Sequence, residues 1–193
     1  MSEKTDNKKQ LIIEKATEVF SAKGFKAVTM KDIVEACEIS RGGLYLYYSS
    51  TEEIFKDVVE AEELKESSGK DVQEMLDGSA YELLLWFIKE QKKEILKRKK
   101  SLIAAKYEYA FLKKEKGDSA DTKKAFETAI AVLANIIERG NESGEFDCED
   151  ASAMARNIMY SIEGMKVCSA TFGLSEKKVD DELLFMMQQF MEA

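Results

Sequence analysis

The absence of proline constrains the fold of this chain more than any other feature of its sequence. None of the 193 residues is a proline, and proline is the residue that most strongly breaks helices. Apolar residues recur at helical spacing over long segments, and short polar connections separate these segments. We therefore predict an all-α fold of about nine helices that account for nearly the whole chain.

Residues 28–55 predict two short helices joined by a tight turn, with a third helix after them. Thr29 and Asp32 have the spacing of a capping box, in which two side chains satisfy free backbone N–H groups at a helix start. Ile39 lies in the turn, and Ser40 is suited to cap the second helix. This arrangement is typical of a helix-turn-helix that reads DNA.

The second of these helices is predicted to carry the side chains that contact DNA. Leu44 and Tyr48 lie four residues apart, so they share one helix face and should point inward. Arg41, Tyr45 and Tyr47 are then left facing outward. A cation and two aromatic hydroxyls on one exposed face are suited to bind phosphates and base edges.

Two glycines and an aromatic run leave other interpretations open. Gly42 and Gly43 each cost roughly 1 kcal/mol of helix stability relative to alanine, which is reasonable where a phosphate must approach the backbone closely. Residues 44–48 have high strand propensity, but no alternating run lies nearby to pair with a strand. A three-helix packing unit without a nucleic-acid partner is the second alternative.

Residues 8–66 resemble the DNA-binding domain of the tetracycline-repressor (TetR) family of bacterial transcription regulators. The segment KKQLIIEKATEVFSAKGFKAVTM is similar to the family's first helix and its Lys-Gly-Phe exit, and SRGGLYLYYSSTEEIF is similar to its second motif. The match runs without gaps over about sixty residues. The resemblance, together with the capping pattern, assigns DNA contacts to Thr29, Lys31, Ser40, Arg41, Gly42, Gly43, Tyr45 and Tyr47.

The charge of the chain is distributed unevenly. The formal net charge is −8, but residues 1–50 contain eight Lys or Arg and seven Asp or Glu, which gives +1 and leaves −9 for the other 143 residues. DNA affinity depends on local phosphate contacts rather than on total charge. The basic residues that could line one face are Lys8, Lys9, Lys26, Lys31 and Arg41.

Residues 67–193 are predicted to form a second, helical domain. Helical patterns cover about 80–100, 101–114, 119–139 and 147–172, and a last one opens at Ser175. Gly140 is suited to a helix C-cap. The resemblance implies that this domain binds a small-molecule effector and forms a homodimer through its last two helices. The apolar stripes assigned to that interface contain Met154, Ile158, Ile162, Leu183, Met187 and Phe190, although such stripes are also compatible with a core inside one domain.

Large side chains concentrate between residues 80 and 111. Aromatic residues line many small-molecule pockets, so the effector cavity is assigned to Trp86, Phe87, Tyr107, Tyr109 and Phe111. Ordinary core packing is the competing interpretation for each of them. Glu90 and Glu108 lie close by in sequence, and either would favour a cationic effector if it faced the cavity.

Composition argues against an enzyme. The chain has no histidine, which excludes His-based acid–base chemistry and His-ligated metals, and it has no glycine-rich phosphate-binding loop. No run approaches the roughly 20 apolar residues of a membrane span, and the N-terminus has no signal region, so we expect a cytoplasmic protein without cofactor or metal. The prediction is a dimeric repressor that binds a palindromic DNA operator and is released by a small molecule. A helical protein-interaction module is the alternative.

Overall fold

The computed structural model describes residues 3–67, 78–97 and 101–191. These residues form nine helices and no strand, which confirms the all-α prediction. In chain order the helices are α1 (Glu3–Lys23), α2 (Met30–Cys37), α3 (Arg41–Tyr45), α4 (Thr51–Ser67), α5 (Ala80–Leu96), α6 (Ile103–Glu115), α7 (Ala120–Ser143), α8 (Ala151–Thr171) and α9 (Glu176–Met191).

The helices divide into two compact units. The first unit contains α1 to α4 together with α6, and the second contains α5, α7, α8 and α9. The chain therefore leaves the first unit after α4 and returns to it with α6. The predicted boundary at residue 66 keeps α1 to α4 together but does not include this returning helix.

An aromatic cluster explains why α6 belongs to the first unit. The rings of Phe20, Phe25 and Phe55 come from α1, the following turn and α4, with the Phe20 and Phe55 centroids 4.8 Å apart. Tyr109 of α6 lies 4.9 Å from Phe25 and 5.2 Å from Phe55, centroid to centroid. Leu102, just before α6, is also buried in this core. The helix thus completes the hydrophobic core of the first unit.

The turn after α1 is shaped to receive a carboxylate from α6. Gly24 has a φ of +76°, and a Cβ at that position would lie 2.6 Å from Oε1 of Glu108. The backbone N–H of Lys26 donates to Oε2 of the same carboxylate at 2.8 Å. Glu108 therefore lies against the turn that leads into the helix-turn-helix. Position 24 requires glycine both for its backbone conformation and for this close approach.

The second unit buries a continuous apolar core. α7 packs against α8, and α5 packs against α7, α8 and α9. The most deeply buried side chains of this core are Leu84, Ile95, Leu133, Ile137, Ala155, Ile158, Ile162 and Val179.

Gly140 does not end its helix, contrary to the prediction. α7 continues to Ser143, and Gly144, with a φ of +76°, is the residue that caps it. A Cβ on Gly140 would lie 1.9 Å from Cδ2 of Phe146, whose ring is buried. Glycine is present at position 140 because the Phe146 ring occupies the space of a side chain.

Gly140→Ala is expected to destabilise the second unit by about 1–3 kcal/mol, the usual cost of overpacking a core. The added methyl group would displace the Phe146 ring. Gly164→Ala is the matched control, because Gly164 also lies in a helix but has no atom within 4 Å of its Cβ position. Urea unfolding of both variants measures the difference. Equal midpoints for the two would contradict the assigned role of Gly140.

Candidate nucleic-acid interface

The start of α2 is held by the predicted capping box. The Thr29 hydroxyl accepts a bond from Asp32 N, and the Asp32 carboxylate accepts one from Thr29 N at 2.8 Å. Lys23 and Thr29 also hydrogen-bond to the Asp32 side chain, and these bonds hold the pKa of that carboxyl well below its usual range. α2 therefore begins at a fixed, charged junction beside the end of α1.

α3 is positioned by one cap and two buried side chains. The Ser40 hydroxyl accepts from Gly43 N at 3.0 Å, which confirms its predicted role as N-cap. Leu44 and Tyr48 are buried, as the spacing predicts. The Tyr48 hydroxyl donates to Asp57 of α4 at 2.8 Å, and burial together with this bond raises the Tyr48 pKa. α3 is thus fastened to α4 on its inner side.

The outer side of α3 carries two of the three side chains predicted to face outward, Arg41 and Tyr45. Arg41 is exposed, and its guanidinium carbon lies 5.8 Å from the centroid of the Tyr45 ring. Tyr45 is 46% exposed, while Tyr47 is half-buried against the core of the first unit. Gly42 has open space where a side chain would be. The helix therefore presents a cation stacked on an aromatic ring, with bare backbone beside it.

A shallow depression joins this surface to α1. It has a volume of about 200 Å³ and is lined by Lys8, Leu11, Ile12, Ile39, Ser40, Gly43 and Tyr47. Among the basic residues proposed to line one face, Lys9 pairs with Asp57 at 2.8 Å and Lys26 lies 4.0 Å from Glu115. Lys31, near the α2 start, is exposed and lies 3.6 Å from Glu35. The described residues place no carboxylate against Lys8 or Arg41, so these two cations remain available for phosphates.

Sequence reasoning did not assign a contact to two residues of this surface. Lys8 was counted only as part of a basic face, and the structure places it beside Ser40 and Gly43. Leu46 directly follows α3 and is 84% exposed. The exposure of Leu46 cannot be predicted from its residue type, because it lies among other apolar and aromatic residues. It follows only once Leu44 and Tyr48 are known to point inward.

The residues assigned to the effector cavity lie in different units. Trp86 and Phe87 are half-buried on α5 of the second unit, whereas Tyr107, Tyr109 and Phe111 are on α6 of the first. Tyr109 is a core residue there, and its hydroxyl donates to Glu52 at 3.1 Å. Phe111 is 60% exposed. Core packing therefore accounts for Tyr109 without a ligand.

The residues assigned to the dimer interface lie mainly inside the second unit. Ile158, Ile162, Leu183 and Met187 are buried in its core. Met154 is half-buried, and Phe190 lies outside the residues whose side chains are described. A second apolar face of α8 and α9 is left exposed instead. Its side chains are Tyr160 (64% exposed), Val167 (44%), Leu184 (57%) and Phe185 (60%).

None of the helices described has the length and apolar character needed to cross a bilayer. Within the described parts of the chain, no three His, Cys, Asp or Glu side chains converge as metal ligands would.

Comparisons with known proteins agree with this architecture. Residues 12–58 match the family described as bacterial regulatory proteins, tetR family, and residues 83–180 match the tetracyclin repressor-like C-terminal domain. The chain is 32% identical over 186 residues to YfiR of Bacillus subtilis (strain 168), described as an uncharacterized HTH-type transcriptional regulator. That alignment covers 92% of this chain and 86% of YfiR.

Solved structures share the fold at low identity. A putative transcriptional regulator from Saccharomonospora viridis, in complex with choline, superposes with a TM-score of 0.80 at 17% identity and covers 97% of this chain and 100% of that one. A TetR-family regulator from Agrobacterium tumefaciens gives 0.75 at 16% identity, with 97% and 99% covered.

A helix-turn-helix on a helical body defines the class of DNA-binding transcription regulators. Two domain matches and a relative aligned over nearly the full chain specify the group within that class: the chain belongs to the TetR family of transcriptional regulators.

Proposed function

We propose that this regulator is a repressor that binds a palindromic operator as a dimer and leaves it when a small molecule binds the second unit. The observation that carries the DNA-binding part is the outer surface of α3. There Arg41 stacks on Tyr45 beside the open backbone of Gly42, and Lys8 borders the same surface without a described carboxylate partner. A bacterial regulator that binds DNA would act in the cytoplasm.

Dimerisation follows from the geometry of operator reading. Helix-turn-helix proteins read two half-sites about one helical turn apart, which requires a two-fold pair of reading units. The exposed apolar face of α8 and α9, defined by Tyr160, Val167, Leu184 and Phe185, is the surface in the second unit that best suits such a pair. Single exposed apolar residues are ordinary, but four large ones on the last two helices are typical of an interface.

The effector is proposed to bind in the second unit, next to α5. Trp86 and Phe87 supply half-buried aromatic surface there. The choline complex of the Saccharomonospora viridis regulator makes choline a reasonable first compound to test, since aromatic rings bind quaternary ammonium groups through cation–π attraction. This part of the proposal contains no catalytic step, and we propose no enzymatic activity.

Arg41→Ala is expected to weaken operator binding by about 1–3 kcal/mol and to reduce the dependence of affinity on salt. The operator is first selected from a pool of random duplexes, and its affinity is then measured by fluorescence anisotropy over a salt series. Lys124→Ala is the control, because Lys124 is an exposed cation on α7 of the second unit. Circular dichroism should show both variants folded.

The same measurements distinguish a DNA-binding regulator from the main alternative. A helical protein-interaction module would select no duplex and would show no salt-dependent DNA binding. An Arg41→Ala protein with unchanged operator affinity at every salt concentration would remove Arg41 from the reading surface.

A further inference from the structure

The apolar face of α5 contains a glutamine, Gln91. Ala80, Leu84, Ile88 and Ile95 are each at most 7% exposed and recur at helical spacing. Gln91 lies three residues after Ile88 and four before Ile95, so it occupies the same stripe. This stripe faces the core formed with α7, α8 and α9. One turn away on α5 its neighbours are Phe87, Ile88, Ile95 and the half-buried Glu94, so the amide lies on a mainly apolar face.

The carbonyl oxygen of that amide has no hydrogen-bond partner among the described residues. Oε1 of Gln91 is buried and accepts no bond from the residues that the structure describes, and no other buried side-chain oxygen or nitrogen in those residues is in this condition. Leaving a buried acceptor unpaired lowers stability, and such groups in native proteins call for an explanation.

Three donors of α5 and α8 bond to other groups. Lys92 binds two carboxylates of α9 at 2.9 and 2.6 Å. Lys166 of α8 lies 3.0 Å from Glu94 and also pairs within its own helix. The Ser169 hydroxyl donates to the backbone carbonyl of Ile95. Each of these donors is thus held in a charged pair or a helix-to-helix bond, and none of them bonds to Oε1 of Gln91.

We propose that Gln91 is the polar anchor of the effector site, and that the effector is a mainly apolar molecule that donates one N–H or O–H to Oε1. The inference rests on the proposed function, because it specifies the chemical class of that effector. Phe87, one turn earlier on α5, is half-buried at the margin of the same core and offers an apolar wall beside the amide. Ligand sites commonly combine apolar walls with a few placed polar groups.

Stability alone does not account for the amide. Methionine has a similar length and would fill the position without an unpaired oxygen. The Trp86 side chain, five residues before Gln91, leaves α5 in a direction about 140° away at 100° per residue. A ligand on Gln91 would therefore contact Phe87 rather than Trp86, which narrows the cavity assigned from sequence.

The first experiment measures thermal unfolding without ligand. Gln91→Met should raise the melting temperature by about 2–4 °C, the shift that corresponds to roughly 1 kcal/mol in a chain of this size. Gln10→Met is the control, because Gln10 is exposed on α1 and bonds only to Glu14. A lower melting temperature for Gln91→Met would overturn the proposal, since the amide would then be supporting the fold.

The second experiment measures binding of compounds that differ by one donor. The pairs are indole with N-methylindole and 4-propylphenol with 4-propylanisole, titrated against the wild-type protein and Gln91→Met. The donor-bearing member of at least one pair should bind the wild type on the order of 10-fold or more tightly than its methylated partner, and Gln91→Met should lose that preference. A preference that persists in Gln91→Met, or no preference in the wild type, would overturn the proposal.

Operator binding of the same two proteins is measured in parallel without compound. Intact operator affinity combined with no donor preference rejects Gln91 as the anchor and leaves the proposed function in place. Absence of duplex binding by the wild type rejects the proposed function itself.

Discussion

Alanine at position 24 is expected to lower the free energy of unfolding by about 3–4 kcal/mol, roughly the sum of left-handed backbone strain and the loss of a hydrogen bond to a carboxylate. Gly24 has a φ of +76°, and its missing side chain leaves room for Glu108. A methyl group there would push the carboxylate away from Lys26 N. Because the turn leads into α2, we also expect operator affinity to fall. Urea unfolding and anisotropy with the selected operator measure the two effects.

Two further variants separate the backbone strain from the lost contact. Gly117 has a φ of +74° and no atom within 4 Å of its Cβ position, so Gly117→Ala carries the backbone strain alone. In a Glu108→Ala background, Gly24→Ala should lower the free energy of unfolding only about as much as Gly117→Ala does. The difference between the two backgrounds is the interaction energy of the turn with Glu108. If Gly24→Ala were as mild as Gly117→Ala in the wild-type protein, the carboxylate would have no role in holding this turn.

The sequence was most informative where local chemistry determines structure. The capping box of Thr29 with Asp32 and the cap at Ser40 each depend on residues three apart, and both are present in the structure. The inward positions of Leu44 and Tyr48 follow from helical spacing alone. These local features define the candidate DNA-reading surface, which is why it could be predicted without coordinates.

Contacts between distant segments could not be predicted in the same way. Glu108 and Lys26 are 82 residues apart, and nothing in the sequence of either segment indicates the other. The role of Tyr109 could not be predicted either. An aromatic residue on a helix gives the same sequence pattern whether it lines a ligand cavity or completes a core. Its packing against Phe25 and Phe55 decides for the core.

The assignment of Gly140 failed for a related reason. A glycine before a polar loop is suited to a C-cap, and the local pattern contained no sign that Phe146 would pack onto it. The helix continues because Gly140 keeps helical geometry while the ring occupies its open side. Gly144, four residues later, provides the left-handed conformation that ends the helix.

The residues assigned to the dimer interface show that periodicity does not distinguish a face buried within one unit from a face buried between two protomers. α8 and α9 each carry apolar residues outside their buried stripe, and the sequence does not say which residues a neighbour in the same unit covers. The more regular stripe, with Ile158, Ile162 and Leu183, is buried within the second unit. Tyr160 and Phe185, which belong to the other face, are left exposed. The proposed dimer interface therefore consists of exposed residues that were not assigned to it from the sequence.

Leu184→Glu combined with Phe185→Glu is expected to produce a folded monomer whose operator affinity is lower by on the order of 100-fold or more. Both side chains are more than half exposed on α9, so the charges should not disturb the core of the second unit. They would place four carboxylates in a two-fold interface built from the exposed face. Each monomer would then bind one half-site alone and lose the gain in affinity that linked binding provides.

Sedimentation at micromolar concentration, circular dichroism and operator titration test this expectation together. Leu183→Glu is the matched control, because Leu183 precedes the pair on the same helix but is only 3% exposed. A buried unpaired charge strongly destabilises a core, so this variant should lose helical structure rather than form a folded monomer. If the double variant remained dimeric with full operator affinity, dimerisation would have to use another surface. If the wild-type protein were itself a monomer at this concentration, the proposal that a dimer binds two half-sites of the operator would be contradicted as well.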